Sequence, residues 1–284
     1  MPVARGGGPV ASAVDTAGVD RDTAGGAGAS APRRSRLHIF GVPVDAVTAD
    51  EARLRAAALL ADRRSDASAV ILTPNPELIM RARQDAELLA AARSAALALP
   101  DGVGVVWAAR RLGHPCPTRL PGIEFMDTLL ALAAASSRPV FFLGARPQVV
   151  TRAAEQARLR HPGLRIAGTA DGYFGPSEEA GVVARVASSG AELLLVGMGV
   201  PAQERFLYRH RRELGAVALA MAVGGSFDVL SGAMRRAPPA VRRLGLEWLW
   251  RLCSQPGRWR RQLALPRFAW AVLRAPEAAR RMSG

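Results

Sequence analysis

The chain has 284 residues, 49% of them hydrophobic, and a formal charge of +14 in which every cationic residue is arginine, since the sequence contains no lysine. That length gives one large domain or two small ones, and that charge calls for an anionic partner: nucleic acid, a phosphorylated ligand or lipid headgroups. Cys116 and Cys253 form no disulfide or zinc pattern and fit a reducing compartment. No basic-then-apolar leader is visible, and the longest apolar stretches, such as 215–225, fall short of the ~20 residues that a bilayer crossing needs.

Residues 1–34 are rich in Gly, Ala, Ser and Pro without periodicity and read as a disordered tail. LHIFGVPV (37–44) reads as a strand with a turn. Thr48 and Glu51 have capping-box spacing ahead of an Ala/Leu/Arg helix running to about Arg64. AVILT (69–73) is a buried strand, followed by Asn75 as an N-cap and Pro76 as a first helical residue. ALALP (96–100) is a strand and a helix starts near Val103. The alternation continues with strands at 139–144, 164–169, 192–198 and 217–224, and with helices at 147–161, 177–188 and 201–213. Continuous apolar strands of five to eight residues, each followed by a helix, predict an α/β fold. Its sheet is Rossmann-like and mostly parallel, with helices on both faces. The core spans 35–234.

Polar residues and glycines cluster just past these strands: Thr73 and Asn75; Asp101, Gly102 and Gly104; Gly144; Asp171; Gly199, Gln203 and Glu204; Gly225 and Asp228. Ligands of open α/β sheets bind outside the carboxyl ends of the strands. Glycines there admit a ligand to the backbone, and helix N-termini offer N–H groups to phosphate. βα loops also need Gly and Pro for their turns, but six loops with the same character point to a site.

Residues 235–284 change character. Twelve arginines face two glutamates, and four of the five tryptophans lie here: Trp248, Trp250, Trp259 and Trp270. On a continuous helix Val241, Leu244, Trp248 and Leu252 share one face, with Arg243, Glu247 and Arg251 on another. Arg and Trp on an amphipathic segment suit a membrane interface, so a basic helical C-terminal appendage that docks on an anionic membrane surface is expected. An ordinary packed tail with a solvated face is the alternative.

The stretches TPNPE (73–77), PDGVG (100–104), RLPGIEFM (119–126), FFLGARP (141–147), DGYF (171–174), GVPAQE (199–204), GGSFDVLSGAMRRAPP (224–239) and LGLEWLWRL (244–252) occur in order. Together they resemble the successive motifs of the WecG/TagA/CpsF glycosyltransferases, glycosyltransferase family 26. The resemblance covers roughly residues 36–262. It implies inverting transfer of an N-acetylmannosamine-type sugar from a UDP-sugar donor to a polyprenyl-diphosphate-linked acceptor at the cytoplasmic membrane face, in cell-surface polysaccharide synthesis. One departure stands out: the family usually has Pro-Lys-Gln-Glu where this chain has Pro201, Ala202, Gln203 and Glu204. If that Lys touches donor phosphate, nearby arginines must replace it.

Inverting transfer needs a base for the acceptor hydroxyl, stabilisation of the leaving diphosphate, and positioning of both substrates. Asp101, at a strand end between Pro100 and Gly102, suits the base. Asp before a helix is also a common N-cap; the residues alone favour the cap, and the resemblance reverses that order. Thr73 and Asn75 are candidate contacts to sugar, with turn and cap duty as the other reading. Gln203 and Glu204 are candidates for uridine or ribose hydroxyls, and Asp228 for donor polar groups. The one Asp-x-Asp pair of the kind that holds a metal is Asp20–Arg21–Asp22, in the expected tail. No metal or cofactor is therefore expected. Arg119, Arg235, Arg236, Arg243 and Arg251, with helix N-termini, are the candidates for the diphosphate. Two other readings remain. A basic nucleic-acid-binding α/β protein is disfavoured because the charge lies at one end and no DNA- or RNA-binding module is visible. Another UDP-sugar-using enzyme of the oxidoreductase or epimerase kind is disfavoured because no Gly-x-Gly-x-x-Gly follows the first strand.

Overall fold

Arg36–Ile39 (β1) and Val42–Asp45 (β2) form an antiparallel hairpin of their own. Its turn is made by Phe40 and Gly41, both at positive φ. The stretch expected as one strand with a turn is therefore a hairpin outside the main sheet. The computed structural model describes residues 36–62, 66–114, 118–254, 257 and 259–275. The expected tail at 1–34 lies outside them, as do Cys116 and the side chain of Arg251.

Ala49–Ala61 forms α1, opened by the full capping box of Thr48 and Glu51. Then come β3 (Ala69–Leu72), α2 (Pro76–Ala82), α3 (Ala86–Arg93), β4 (Leu97–Ala98), α4 (Val103–Arg111), α5 (Gly122–Ala135), β5 (Val140–Gly144) and α6 (Pro147–Arg160). The rest is β6 (Ile166–Ala170), α7 (Pro176–Ser188), β7 (Leu193–Gly197), α8 (Ala202–His210), β8 (Leu219–Ala222), α9 (Ser226–Leu230), α10 (Pro239–Arg243), α11 (Glu247–Ser254), α12 (Trp259–Gln262) and α13 (Ala264–Leu273). Asn75 caps α2 as its residue type dictates, its Oδ1 accepting from the Leu78 N–H at 3.0 Å, and Pro76 sits in the first turn.

Six strands form one sheet in the order β4-β3-β8-β7-β5-β6, and every neighbouring pair is parallel. Alternation along each strand feeds two cores. Phe141 and Leu143 of β5 pack toward α2, α3, α4, α7 and α8, whereas Val140 and Phe142 pack toward α1, α5, α6 and α9. A sheet covered on both faces explains why its strands read as unbroken apolar runs.

Two features were not expected from the sequence. The amphipathic helix drawn through Val241, Leu244, Trp248 and Leu252 does not exist as one piece. Gly245, at φ 72°, breaks it into α10 and α11, and a Cβ there would lie 2.7 Å from Val103 Cγ1. The chain needs both the left-handed conformation and the close approach, which only glycine supplies. In addition, α13 packs on α2 and α4, with Phe268 and Val272 each 1% exposed inside the first core.

β4 is only two residues long, and a residue of β2 holds it. Asp45, 1% exposed, accepts from the Ala98 N–H through Oδ2 at 2.7 Å. Arg36 neutralises it with a bidentate pair at 2.8 and 2.9 Å and donates onward to the carbonyls of Ala95 and Ala96. A buried carboxylate is tolerable only when paired and hydrogen-bonded in this way.

Candidate functional site

Because all six strands run the same way, their carboxyl ends share one edge of the sheet. From β4 to β6 that edge carries Asp101, Thr73, then Gly225 and Asp228, then Gly199 with Gln203 and Glu204, then Gly144, and last Asp171. With strands about 4.8 Å apart, Asp101 and Asp171 stand roughly 24 Å from each other. They do not meet over one sugar. The connection leaving β7 leads to β8 on one side and that leaving β5 leads to β6 on the other, so the strand order reverses between β7 and β5. Such a switch point opens a crevice for ligand.

The β4 end is built around Asp101. Its N–H donates to the Pro74 carbonyl at 3.2 Å, which fixes the β3 and β4 loops to each other. The N-cap of α4 is Gly102, at φ 91°, with no side chain capping the helix. Asp101 stands one residue ahead of the cap position and is half-buried. Leu120 donates its N–H to the Pro100 carbonyl at 2.9 Å, and a Cβ on Gly122 would sit 3.2 Å from Thr73 Oγ1. The RLPGIEFM stretch thus lies against both Thr73 and the residue preceding Asp101. Gly104 is close-packed as well, 3.1 Å from Pro76 Cγ by the same measure.

At the switch point the loops meet backbone to backbone. A Cβ on Gly144, at φ 129°, would come within 2.4 Å of the Gly197 carbonyl oxygen. One on Gly197 would lie 2.9 Å from the Gly224 carbonyl oxygen. Gln203, 4% exposed, ties two of these loops together: its Oε1 accepts from the N–H of Gly199 at 3.2 Å and of Gly224 at 3.0 Å. Its Nε2 donates to Glu204 Oε1 at 2.7 Å. Asp171 accepts from the Tyr173 N–H at 3.0 Å, shaping its own turn. Asp228 Oδ2 faces Gly225.

Glu204 is 2% exposed, and its Oε2 has no hydrogen-bond partner among the described residues. Burial pushes its carboxyl up from 4.5 to about 7, with the Glu77 carboxylate adding to the rise and the Gln203 amide and Arg81 opposing it. The unfolded chain loses this proton near 4.5 and the folded one near 7. The stabilisation is therefore full below 4.5 and fades as pH climbs to about 7, by about 3 kcal/mol in all. Thermal melts between pH 5 and 8 are expected to show wild type losing that much more than Glu204→Gln. Parallel curves would mean that the folded carboxyl ionises normally.

The expected arginines fall into two groups. Arg119 donates to Glu247 at 3.1 Å, joining the RLPGIEFM stretch to α11. Arg236 reaches Glu124 of α5, as does Arg242, which the sequence reading had passed over. These pairs bring α10 and α11 over the Thr73–Asp101 end, around a recess of about 380 Å³ lined by Arg119, Pro121, Glu124, Pro239, Arg242 and Arg243. Arg235 and Arg243 are exposed. Also missed was Arg261, whose Nη1 lies 4.0 Å from where a Gly199 Cβ would be. It belongs to a run of arginines with nothing local to single it out.

A carboxylate at one strand end, glycine-bearing loops along the same edge, and arginines of the C-terminal helices near both are the residue types that suit group transfer between anionic substrates. Residues 37–282 match the Glycosyl transferase WecG/TagA/CpsF family, and the chain belongs to that family. It is 39% identical over 211 residues to the N-acetylglucosaminyldiphosphoundecaprenol N-acetyl-beta-D-mannosaminyltransferase of Bacillus spizizenii, which covers 74% of this chain and 81% of that protein. The protein of the same name from Bacillus subtilis (strain 168) is 35% identical over 206 residues, 72% of this chain and 79% of its own length. The chain is a glycosyltransferase, as the ordered motifs imply.

Proposed function

We propose that the chain transfers an N-acetylmannosamine-type sugar from a UDP-sugar to a polyprenyl-diphosphate-linked N-acetylglucosamine, with inversion. The observation that carries this reading is the position of Asp101 beside Thr73, at one end of the edge whose other loops form the glycine crevice. Asp101 takes the proton of the acceptor hydroxyl as that oxygen bonds to the anomeric carbon of the donor, and the bond from that carbon to UDP breaks. Thr73 and Asn75 orient sugar. Gly199 and Gly225 leave room for donor, Gly144 lets the β5 loop close on Gly197 and so shapes the crevice, and Gln203 holds it open by fixing the Gly199 and Gly224 loops. Arg119, Arg235, Arg236, Arg243 and Arg251 meet diphosphate charge. Arg261 supplies beside Gly199 the cation that Ala202 lacks. Residues 35–234 carry the catalytic core, and 235–284 complete the site and dock on the inner face of the cell membrane.

Docking is supported by where the large apolar side chains lie exposed. Leu244, Trp248, Leu249, Trp259, Leu263 and Trp270 all lie on the C-terminal helices or the turns between them, interleaved with arginines, a pattern suited to a headgroup layer. No helix among the described residues is long and apolar enough to cross a membrane. The test of the reaction is a donor screen against a short-chain prenyl-diphosphate-N-acetylglucosamine, scoring UDP release with and without EDTA. UDP release that depends on the acceptor and survives EDTA is the expected result. Release abolished by EDTA would replace the arginines with a metal, and no release with any UDP-N-acetylhexosamine would overturn the reading.

A further inference from the structure

Of the trough along α4, only Arg119 has a role in the account above. The trough encloses about 520 Å³ and is lined by Val103, Val106, Trp107, Arg110, Arg111 and Arg119, within the size range of small-ligand sites. Its helix begins two residues after Asp101. Val103 and Trp107 are 44% and 38% exposed, costly positions for large apolar side chains unless something covers them. Positions 103, 106, 107 and 110 form one helical stripe, so the trough runs from an apolar end near Asp101 to a cationic end. Among the described residues no carboxylate pairs with Arg110 or Arg111, and Glu247 alone answers Arg119, at 3.1 Å. Three guanidinium groups against one carboxylate leave a surplus that matches a diphosphate. Gly245, packed on Val103, closes one side of the trough's start.

We propose that this trough is the subsite for the acceptor's sugar-diphosphate headgroup, an inference that rests on the transferase reading above. From Val103 to Arg110 the helix rises ~10 Å, the reach of one hexose and the phosphate that follows it. An acceptor with its reacting hydroxyl at Asp101 lays the apolar face of its sugar ring on the Trp107 indole. Its diphosphate then falls between Arg110 and Arg111, and the prenyl chain leaves beyond them. Trp107 is thereby a specificity residue for the acceptor sugar, and Arg110 and Arg111 anchor its leash.

Calorimetric titration of the full chain tests this with three probes: short-chain prenyl-diphosphate-N-acetylglucosamine, the same prenyl diphosphate without sugar, and UDP. Arg110→Ala/Arg111→Ala is expected to weaken both prenyl probes at least about tenfold and to leave UDP within twofold. Trp107→Ala is expected to weaken the sugar-bearing probe alone. Melting temperatures should stay within a few degrees of wild type, since Trp107 and Arg110 are exposed and Arg111 is only half-buried. Unchanged affinity for the sugar-bearing probe in both variants overturns the proposal, as does an equal loss of UDP binding or a wild type that binds neither prenyl probe. Binding that follows the expected pattern in a protein that transfers no sugar would sink the transferase reading and leave the subsite standing.

Discussion

Asp101→Asn is expected to lower the sugar-transfer rate by about three orders of magnitude, within the range that a positioned general base supplies. UDP affinity and melting temperature should remain near wild type. The side chain is half-buried, Asn keeps its size, and the backbone bond from residue 101 to the Pro74 carbonyl does not involve the carboxylate. The loss should fall on kcat with little change in KM for either substrate, because the proton is transferred only in the transition state. Single-turnover assays with saturating donor and acceptor read this directly. A variant that keeps the full rate would remove Asp101 from the chemistry and return it to a role in shaping the β4 turn.

The C-terminal helices present the second large effect, and they divide it in two. Phe268→Ala is expected to destabilise the fold by about 3–5 kcal/mol, and to lower the melting temperature by on the order of 10 °C. Phe268 is 1% exposed and lies edge-on to Phe40 of the hairpin turn, ring centroids 6.4 Å apart. It also comes 3.9 Å from where a Gly104 Cβ would be. Trp259→Ala/Trp270→Ala removes side chains that are 52% and 58% exposed, so its melting curve should match wild type while pelleting with anionic vesicles falls severalfold. A chain cut at 234 loses both functions at once and cannot tell them apart. If the double tryptophan variant pellets like wild type, the exposed indoles do not serve docking. If Phe268→Ala melts normally, α13 is not part of the core.

The strands and most helices were legible because each buried strand of a doubly covered sheet is a continuous apolar run, and because Thr48, Glu51, Asn75 and Pro76 carry cap chemistry that acts locally. Of the hairpin, the turn within LHIFGVPV was legible, but not that its two arms pair with each other apart from the main sheet. α3 and α5 were passed over: α3 follows α2 without a strand between them, and α5 opens on Pro121 and Gly122 with no capping side chain. The break at Gly245 was half legible: a glycine after the last helical residue is a local stop signal, whereas its close fit against Val103, far away in the chain, lies in no window of sequence. For the site, the strand-end residues could be picked out one loop at a time. Their separation could not, because strand order is a non-local property, and it alone puts Asp171 at the opposite margin from Asp101. The raised carboxyl of Glu204 was equally hidden, since it follows from burial and from Glu77, far away in the chain.

The hydrogen bond that Asp45 accepts from the Ala98 N–H makes the β1–β2 hairpin a mechanical support for the loop that carries Asp101, 56 residues later. A strand of two residues has almost no ladder of its own, so the aspartate and its arginine act as a clamp on the peg from which the proposed base hangs. An expression clone trimmed a few residues too far, past Arg36, would still contain every reactive side chain. It would nonetheless leave Asp45 buried without its partner, and any loss of activity would look like a missing active-site group rather than a missing end.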